Sequence, residues 1–458
     1  MKMQKVQMTV LIISTITSFL GPFLISSINI ALPSIEKDLN LDSIELSWII
    51  NAFLLTSAIL LLPSGTFADQ YGQVKGYRIG IIIFTVSSLL CGIALNYYSL
   101  IIFRIIQGIG AAMTMATGPS LLVSQFPGHQ RGRVLGINVA AVYLGLSLGP
   151  FLGGVLTNYW GWRSIFLISA PLGALTMILT LLWLKNEIPE NNSKKGFNIH
   201  GNLFYALILF LFVYGASELP HTIGWITISG FIFLMPLFFK TQNNSNHPVL
   251  PVKLFKSNKL FTYSNLAALI NYSGTFATIF YLSLYLQKIN EFSPFEAGAI
   301  LIFQPITQAV LSPLTGYFSD KVEPRFLATS GMLLNALGLF LLAFINSNTP
   351  VTLIIIYLII MGVGFALFSS PNMNTIMGSV ERPQLGTASG VSATMRILGQ
   401  ITSMSIATLL FSVVLQKTPI MDAESSLFIH TMKSGMIIMS LLCLSGSYFS
   451  YFRGKMRK

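Results

Sequence analysis

Apolar runs long enough to cross a membrane recur along the whole 458-residue chain, and nothing else in the sequence constrains the fold as strongly. A helix crosses roughly 30 Å of hydrocarbon with about 20 apolar residues. Fourteen such runs lie near 8–33, 44–67, 77–95, 100–124, 133–158, 163–184, 201–217, 222–239, 262–287, 296–318, 326–346, 351–372, 385–414 and 433–452. In lipid every backbone polar group must be satisfied within the segment, so the runs are expected as helices. They are too long and too evenly apolar for barrel strands, which alternate over about ten residues. The expected class is an all-α polytopic membrane protein. Composition agrees: 53% of residues are hydrophobic and 9% are charged, against roughly 25% charged in soluble domains.

The charges carry topology. The net charge is +12, but the cations sit in short loops between apolar runs, which argues against a nucleic-acid surface. With the N-terminus inside, 20 of the 27 Lys and Arg fall in cytoplasmic segments and five outside, while Arg104 and Arg396 lie within spans. That asymmetry predicts both termini in the cytoplasm of a cell-membrane protein. Lys2 and Lys5 ahead of an apolar run imitate a signal peptide, but the run continues to about Pro33 and is read as an uncleaved first span. Cys91 and Cys443 both fall inside runs, which argues against a disulfide or a metal site. The histidines, at 129, 200, 221, 247 and 430, sit in loops or at span ends without metal-ligand spacing.

The halves repeat. Gly65-Thr66-Phe67-Ala68-Asp69 is echoed by Gly316-Tyr317-Phe318-Ser319-Asp320. Gly108-Ile109-Gly110 is echoed by Gly362-Val363-Gly364, and Gly136, Gly145 and Gly149 by Gly390, Gly399 and Ser403. A parallel six-span repeat is a transporter signature, with the substrate site near the midplane between the halves. Polar stretches at 185–200 and 240–261 bracket the seventh and eighth spans. The predicted layout is therefore 6+2+6: an N-terminal half over 1–187, a two-helix insert over 188–260 and a C-terminal half over 261–458.

These residues carry a family resemblance. Gly65-x-Phe67-Ala68-Asp69-x-x-Gly72-x-x-Lys75 resembles the loop between spans two and three of the major facilitator superfamily. Arg104-x-x-Gln107-Gly108-x-Gly110 resembles its fourth-span motif. Gly136-x8-Gly145-x3-Gly149-Pro150-x2-Gly153-Gly154 resembles its fifth-span antiporter motif. Asn29-Ile-Ala-Leu-Pro33 and Gly161-Trp162-Arg163-Ser-Ile-Phe166 are similar to the fourteen-span drug:proton antiporters. The resemblance implies the major facilitator fold, alternating access, the proton gradient as energy source with no cofactor, and a role in proton coupling for Arg104. Gln70 and Gln73 replace the family's usual basic residues, which thins any charge relay there.

Physical readings stand beside it. Asp69 lies at the C-terminal end of its helix, where the macrodipole disfavours an anion. It is expected to take Lys75, Arg78 or a neighbouring helix N-terminus as partner and to act as a cytoplasmic gate, with Asp320 its counterpart. Gly145, Gly149 and Gly153 share one helix face and admit another backbone; Gly136 and Gly154 share a different face, and Pro150 bends the helix. Charge within a bilayer marks function. Arg396, about 16 Å into its span by helical rise, is expected to face substrate, and Arg104 either snorkels or couples protons. Where related antiporters carry a first-span carboxylate this chain has Leu24, and no acid is expected within the hydrocarbon; Glu218, at the end of the seventh span, is the nearest proton-site candidate. Asn51, Tyr143, Asn271, Tyr272, Gln304 and Gln308 are the remaining substrate-pathway candidates, each also readable as helix-packing glue.

The expected function is proton-driven efflux of small amphipathic compounds by a monomer, with lipid, substrate and protons as partners. Arg396 favours neutral, zwitterionic or anionic substrates. No GxxxxGK[ST] sequence is present, so ATP is not the direct energy source. The alternatives are a dedicated exporter of one endogenous metabolite or lipid, and a transporter-like sensor, for which the tails are short. An enzyme would need paired acids or metal-ligand clusters in the spans, and the sequence offers none.

Overall fold

The computed structural model describes residues 2–126, 128–184, 198–245, 248–250, 252–319, 321–381, 385–415 and 418–456, without the side chains of 2–4, 69, 123, 128–133, 135–136, 139 and 385–386. The first half comprises α1 (Lys2–Leu39), α2 (Ser43–Tyr71), α3 (Gln73–Gly92), α4 (Tyr97–Gln125), α5 (Gly128–Trp160) and α6 (Arg163–Trp183). Next come α7 (Ile199–Glu218), α8 (Thr222–Asn244) and the short α9 (Val252–Ser257). The second half comprises α10 (Lys259–Thr275), α11 (Ala277–Lys288), α12 (Pro294–Leu301), α13 (Phe303–Ser319), α14 (Pro324–Leu342), α15 (Val351–Gly378), α16 (Leu385–Val414) and α17 (Ser425–Phe452). α10 and α11 run on as one span, as do α12 and α13, so the described residues form fourteen helices long and apolar enough to cross a membrane. An even number places both termini at one end of the bundle; the opposite end is called distal below.

Local sequence sets the distal starts. Asp42 caps α2 by accepting from the Ile44 and Glu45 N–H groups, and Glu45 reaches back to the Asp42 N–H. Asn96 with Ser99, and Ser293 with Glu296, do the same for α4 and α12. Each box satisfies N–H groups that a helix start leaves without partners.

The sequence repeat is a packing repeat. Gly108 and Gly110 set α4 against α2 and α3: a methyl on Gly108 would meet the Phe53 carbonyl oxygen at 2.9 Å, and one on Gly110 the Phe84 nitrogen at 2.4 Å. Gly362 and Gly364 set α15 against α13 and α14: a methyl on Gly362 would meet the Gln304 carbonyl oxygen at 2.6 Å, and one on Gly364 the Gly331 carbonyl oxygen at 2.8 Å and the Asn335 nitrogen at 2.9 Å. A methyl on Gly145 of α5 would collide with the Phe19 carbonyl of α1, and one on Gly399 of α16 would meet the Leu269 carbonyl oxygen of α10 at 2.5 Å. Where the second half has Ser403 in place of Gly149, the serine hydroxyl accepts from the Ala277 N–H, at the junction of α10 and α11.

α7 and α8 form a hairpin, with α7 laid against α2 and α16. Ser412 of α16 donates to the Leu219 carbonyl at the tip of this hairpin. α8 leaves Trp225, Ile226, Ile232 and Phe233 exposed. Such an apolar exterior is stable against lipid chains and costly in water. The boundary expected at 187–188 lies outside the described residues.

One boundary differs from the sequence reading. The first span does not stop at Pro33; α1 continues to Leu39 and ends at Asn40, whose φ of 51° is left-handed. Proline removes one helical hydrogen bond and frees the carbonyl four residues back. Here that is Asn29, and Ser283 of α11 donates to it at 2.6 Å. Pro150 frees Leu146 likewise, and Ser26 of α1 donates there at 3.0 Å. Neighbouring hydroxyls let both helices run through their prolines.

Candidate functional site

The middle of the bundle brings together side chains from both halves. Tyr143 lies near the midpoint of α5 and Tyr272 near the midpoint of the α10–α11 span, and the two side chains approach each other across the junction. Tyr272 also lies beside Ser369 of α15 and within electrostatic range of Arg396 on α16. Gln308 of α13 donates to Ser369 at 3.4 Å, and the Phe365 ring stands 6.4 Å from that of Tyr272. Tyr143, Tyr272 and Arg396 are only partly buried despite their depth, so they border an accessible gap between the halves. No carboxylate among the described residues lies within ion-pair distance of Arg396. The centre is thus an aromatic pair with amide and hydroxyl groups and one cation. Ser369 and Phe365 were not anticipated; a serine and a phenylalanine in an apolar run carry no signal that separates them from packing residues.

The remaining candidates divide. Gln304 is buried, with its side-chain oxygen unpartnered among the described residues. Asn51 donates to Thr408 of α16 at 3.2 Å, a bond between the halves. Asn271, by contrast, accepts from Asn335 of α14 at 3.0 Å and is wholly buried, so it joins helices within the second half and does not face the gap. Glu218 is half-buried and lies near Tyr214 of its own helix, at the hairpin tip and away from the centre.

Arg104 does not snorkel. It is fully buried, donating from Nε to the Ile49 carbonyl at 3.0 Å and from Nη1 to Gln107 Oε1 at 2.5 Å. Gln107 in turn donates to Ser88 at 2.8 Å. The guanidinium lies 4.4 Å from the Phe53 ring centre and 5.9 Å from that of Phe166. Arg104 therefore binds α2, α3, α4 and α6 into one unit through a charge-assisted network.

In the α2–α3 region, Gly72 ends α2 with φ of 102° and Lys75 lies over the Tyr71 ring at 5.6 Å. Arg78 donates to the Leu184 and Thr180 carbonyls and so caps the end of α6. Gly65 has open space beside it. The Asp69 side chain, Asp320 and the surroundings of Gly136 lie outside the described residues. In α5, a methyl on Gly149 or Gly153 would run into Ser26 or Ser27 of α1, at 2.5 and 2.7 Å. Gly154 faces the other way: a methyl there would collide with the Pro294 carbonyl of α12, and one on Gly298 of α12 with the Pro150 carbonyl. One helix thus packs closely on its own half and on the other.

Two buried ionic groups escaped the sequence reading. Glu36, placed beyond the first span by the supposed stop at Pro33, is 2% exposed on α1. Arg453, counted among the tail cations, is 1% exposed and donates to Asn372 at 2.8 Å. Desolvation pushes the Arg453 guanidinium down to about 10, against the pull of nearby Glu323.

Two six-helix halves, related by repeat and enclosing a polar centre at mid-depth, define a membrane transporter built on alternating halves. The chain belongs to the Major Facilitator Superfamily, whose family model matches residues 14–258 and 264–453. It is 30% identical over 403 residues to the riboflavin transporter RibZ of Clostridioides difficile, covering 88% of this chain and 87% of that one. It is 28% identical over 408 residues to the multidrug resistance protein Stp of Mycobacterium tuberculosis, covering 86% and 75%. A crystal structure of a bacterial homologue of the human lysosomal transporter Spinster, inward-facing and unoccupied, superimposes with a TM-score of 0.70 at 16% identity, covering 99% and 97%.

Proposed function

We propose that this transporter exports small amphipathic compounds across the cytoplasmic membrane in exchange for protons, with both termini in the cytoplasm and the distal end outside. The observation that carries the reading is the approach of Tyr143 and Tyr272 from opposite halves, beside Arg396 and a partly open gap at mid-depth. Bonds between the halves gather toward the distal ends: Ser283 to Asn29, Gln287 to Ile30, the Met421 N–H to Glu36, and Asn51 to Thr408. That pattern supports a centre closed to the outside and reached from the cytoplasm. Antibiotic-resistance relatives from Mycobacterium tuberculosis and Bacillus subtilis support a drug-like cargo. The fifth-span glycines and Pro150 support antiport through the family motif.

A dedicated exporter is the second reading, favoured by the riboflavin-transporter relative and by the chemistry of the centre. An arginine with no carboxylate of the described residues within ion-pair distance, two tyrosines and glutamine amides suit a planar, hydrogen-bonding, neutral or anionic compound. A bare cation beside Arg396 at low dielectric is disfavoured.

Everted vesicles with an imposed pH gradient separate these readings. Uptake of several dyes and drugs that collapses with a protonophore supports broad antiport; uptake confined to one anionic aromatic compound supports the dedicated exporter. Gradient-insensitive flux overturns antiport. Arg396→Ala is expected to lower transport of anionic substrates at least tenfold and to spare neutral ones; unchanged transport of every class removes Arg396 from the site.

A further inference from the structure

We propose that Glu36 is a proton-binding latch of the outer gate, and that closing this gate takes up a proton at its carboxylate. The inference rests on the alternating-access reading above. Glu36 belongs to the first half, and its Oε1 accepts from the Met421 N–H at 2.9 Å, with the Ile420 N–H close to the same carboxylate. Both N–H groups lie in the loop between α16 and α17 of the second half. The side chain therefore bridges the halves at their distal ends, 2% exposed.

The other oxygen decides the chemistry. Oε2 is buried with no partner among the described residues. An anion here would leave half of its charge without donors, at the C-terminal end of α1 where the helix dipole opposes it. Two charged groups face the carboxylate from the packed elements: Lys288 of α11 and Asp422 of the loop. Lys288 is outside ion-pair distance, its ammonium donating to the Met421 carbonyl at 2.7 Å, and Asp422 repels. On α1 itself Lys37 is exposed and Asp38 is engaged by Arg163 at 2.7 Å. A proton on Oε2 removes the buried charge while Oε1 keeps its bond to the Met421 N–H. When the halves part at this end, water reaches the carboxylate and the anion is solvated. The closed latch therefore holds the proton more tightly than the open one, and by linkage lower pH favours closure. In an exporter, this makes proton uptake from outside accompany the return to the inward-facing state.

The test uses the full-length protein in lipid nanodiscs without substrate or gradient. Spin labels at Leu95→Cys and Ser347→Cys, exposed distal positions on opposite halves, report the separation between halves. In the parent protein the closed-to-open ratio is expected to rise about tenfold for each unit by which the latch tightens proton binding, as pH falls from 8 to 5. Glu36→Gln, neutral and still an acceptor, is expected to stay closed at every pH; Glu36→Ala, with no acceptor, is expected to favour the open state at every pH. A part that is merely structural would shift both variants the same way and leave their pH response intact. An unchanged pH profile in Glu36→Gln overturns the latch, and so does closure that grows as pH rises. Vesicle flux on the parent protein tests antiport separately, so proton-coupled flux with a pH-blind gate refutes the latch and leaves the transport reading standing.

Discussion

At the scale of single residues, polar side chains in this membrane bundle are either organisers or site groups, and their neighbours distinguish them. Arg104 is an organiser: one guanidinium serves the Ile49 carbonyl and Gln107 Oε1 at once, beneath the Phe53 ring. Lysine cannot reproduce that planar fork. Arg104→Lys is expected to lower thermal stability of the purified protein by about 2 kcal/mol, the scale of a charged hydrogen bond. Tryptophan-fluorescence melting in detergent would measure it, and an unchanged melting temperature would remove the organising role. Asn271 and Tyr272 show why such roles are hard to read from sequence. They are adjacent, yet successive residues point about 100° apart on a helix of 3.6 residues per turn. Asn271 meets Asn335 inside the second half, and Tyr272 meets Tyr143 in the other half.

At the scale of helices, the glycine positions make opposed predictions. At Gly145 a methyl would meet the α1 backbone at 2.4 Å, and at Gly65 it would meet open space. Gly145→Ala is expected to destabilise by about 1–3 kcal/mol through overpacking and to reduce transport, while Gly65→Ala leaves both within error. Melting curves and vesicle flux on the two variants check this contrast. The prolines make a second case. Ser283→Ala would leave the Asn29 carbonyl freed by Pro33 without its donor. The expected loss is about 1 kcal/mol, again read by melting, and Pro33→Ala in the same background should restore it by supplying the missing N–H. Glycine periodicity was legible in the sequence because close helix approach demands it. The continuation of α1 through Pro33 was not, because it depends on a hydroxyl 250 residues away.

At the scale of the whole molecule, the proposed alternating access requires the halves to move against each other. Asn51 and Thr408 touch across the junction at 3.2 Å. A short thiol-reactive cross-linker between Asn51→Cys and Thr408→Cys is expected to abolish flux, and a reducible linker to restore it on reduction; full flux through a cross-linked protein would exclude separation at that point. The sequence by itself determined the fourteen spans and the six-helix repeat, because hydrocarbon thickness and backbone satisfaction act on each segment alone. It also marked the glycines, Tyr143, Tyr272, Gln308 and Arg396. Tertiary structure alone decided which of the polar residues meet. It drew Asn271 away from the gap, buried Arg104 in a network, and put Glu36 against a loop 385 residues further along the chain. Hydropathy is a property of a segment, whereas the partner of a buried polar atom is set by helices that the sequence brings near only once the bundle has closed.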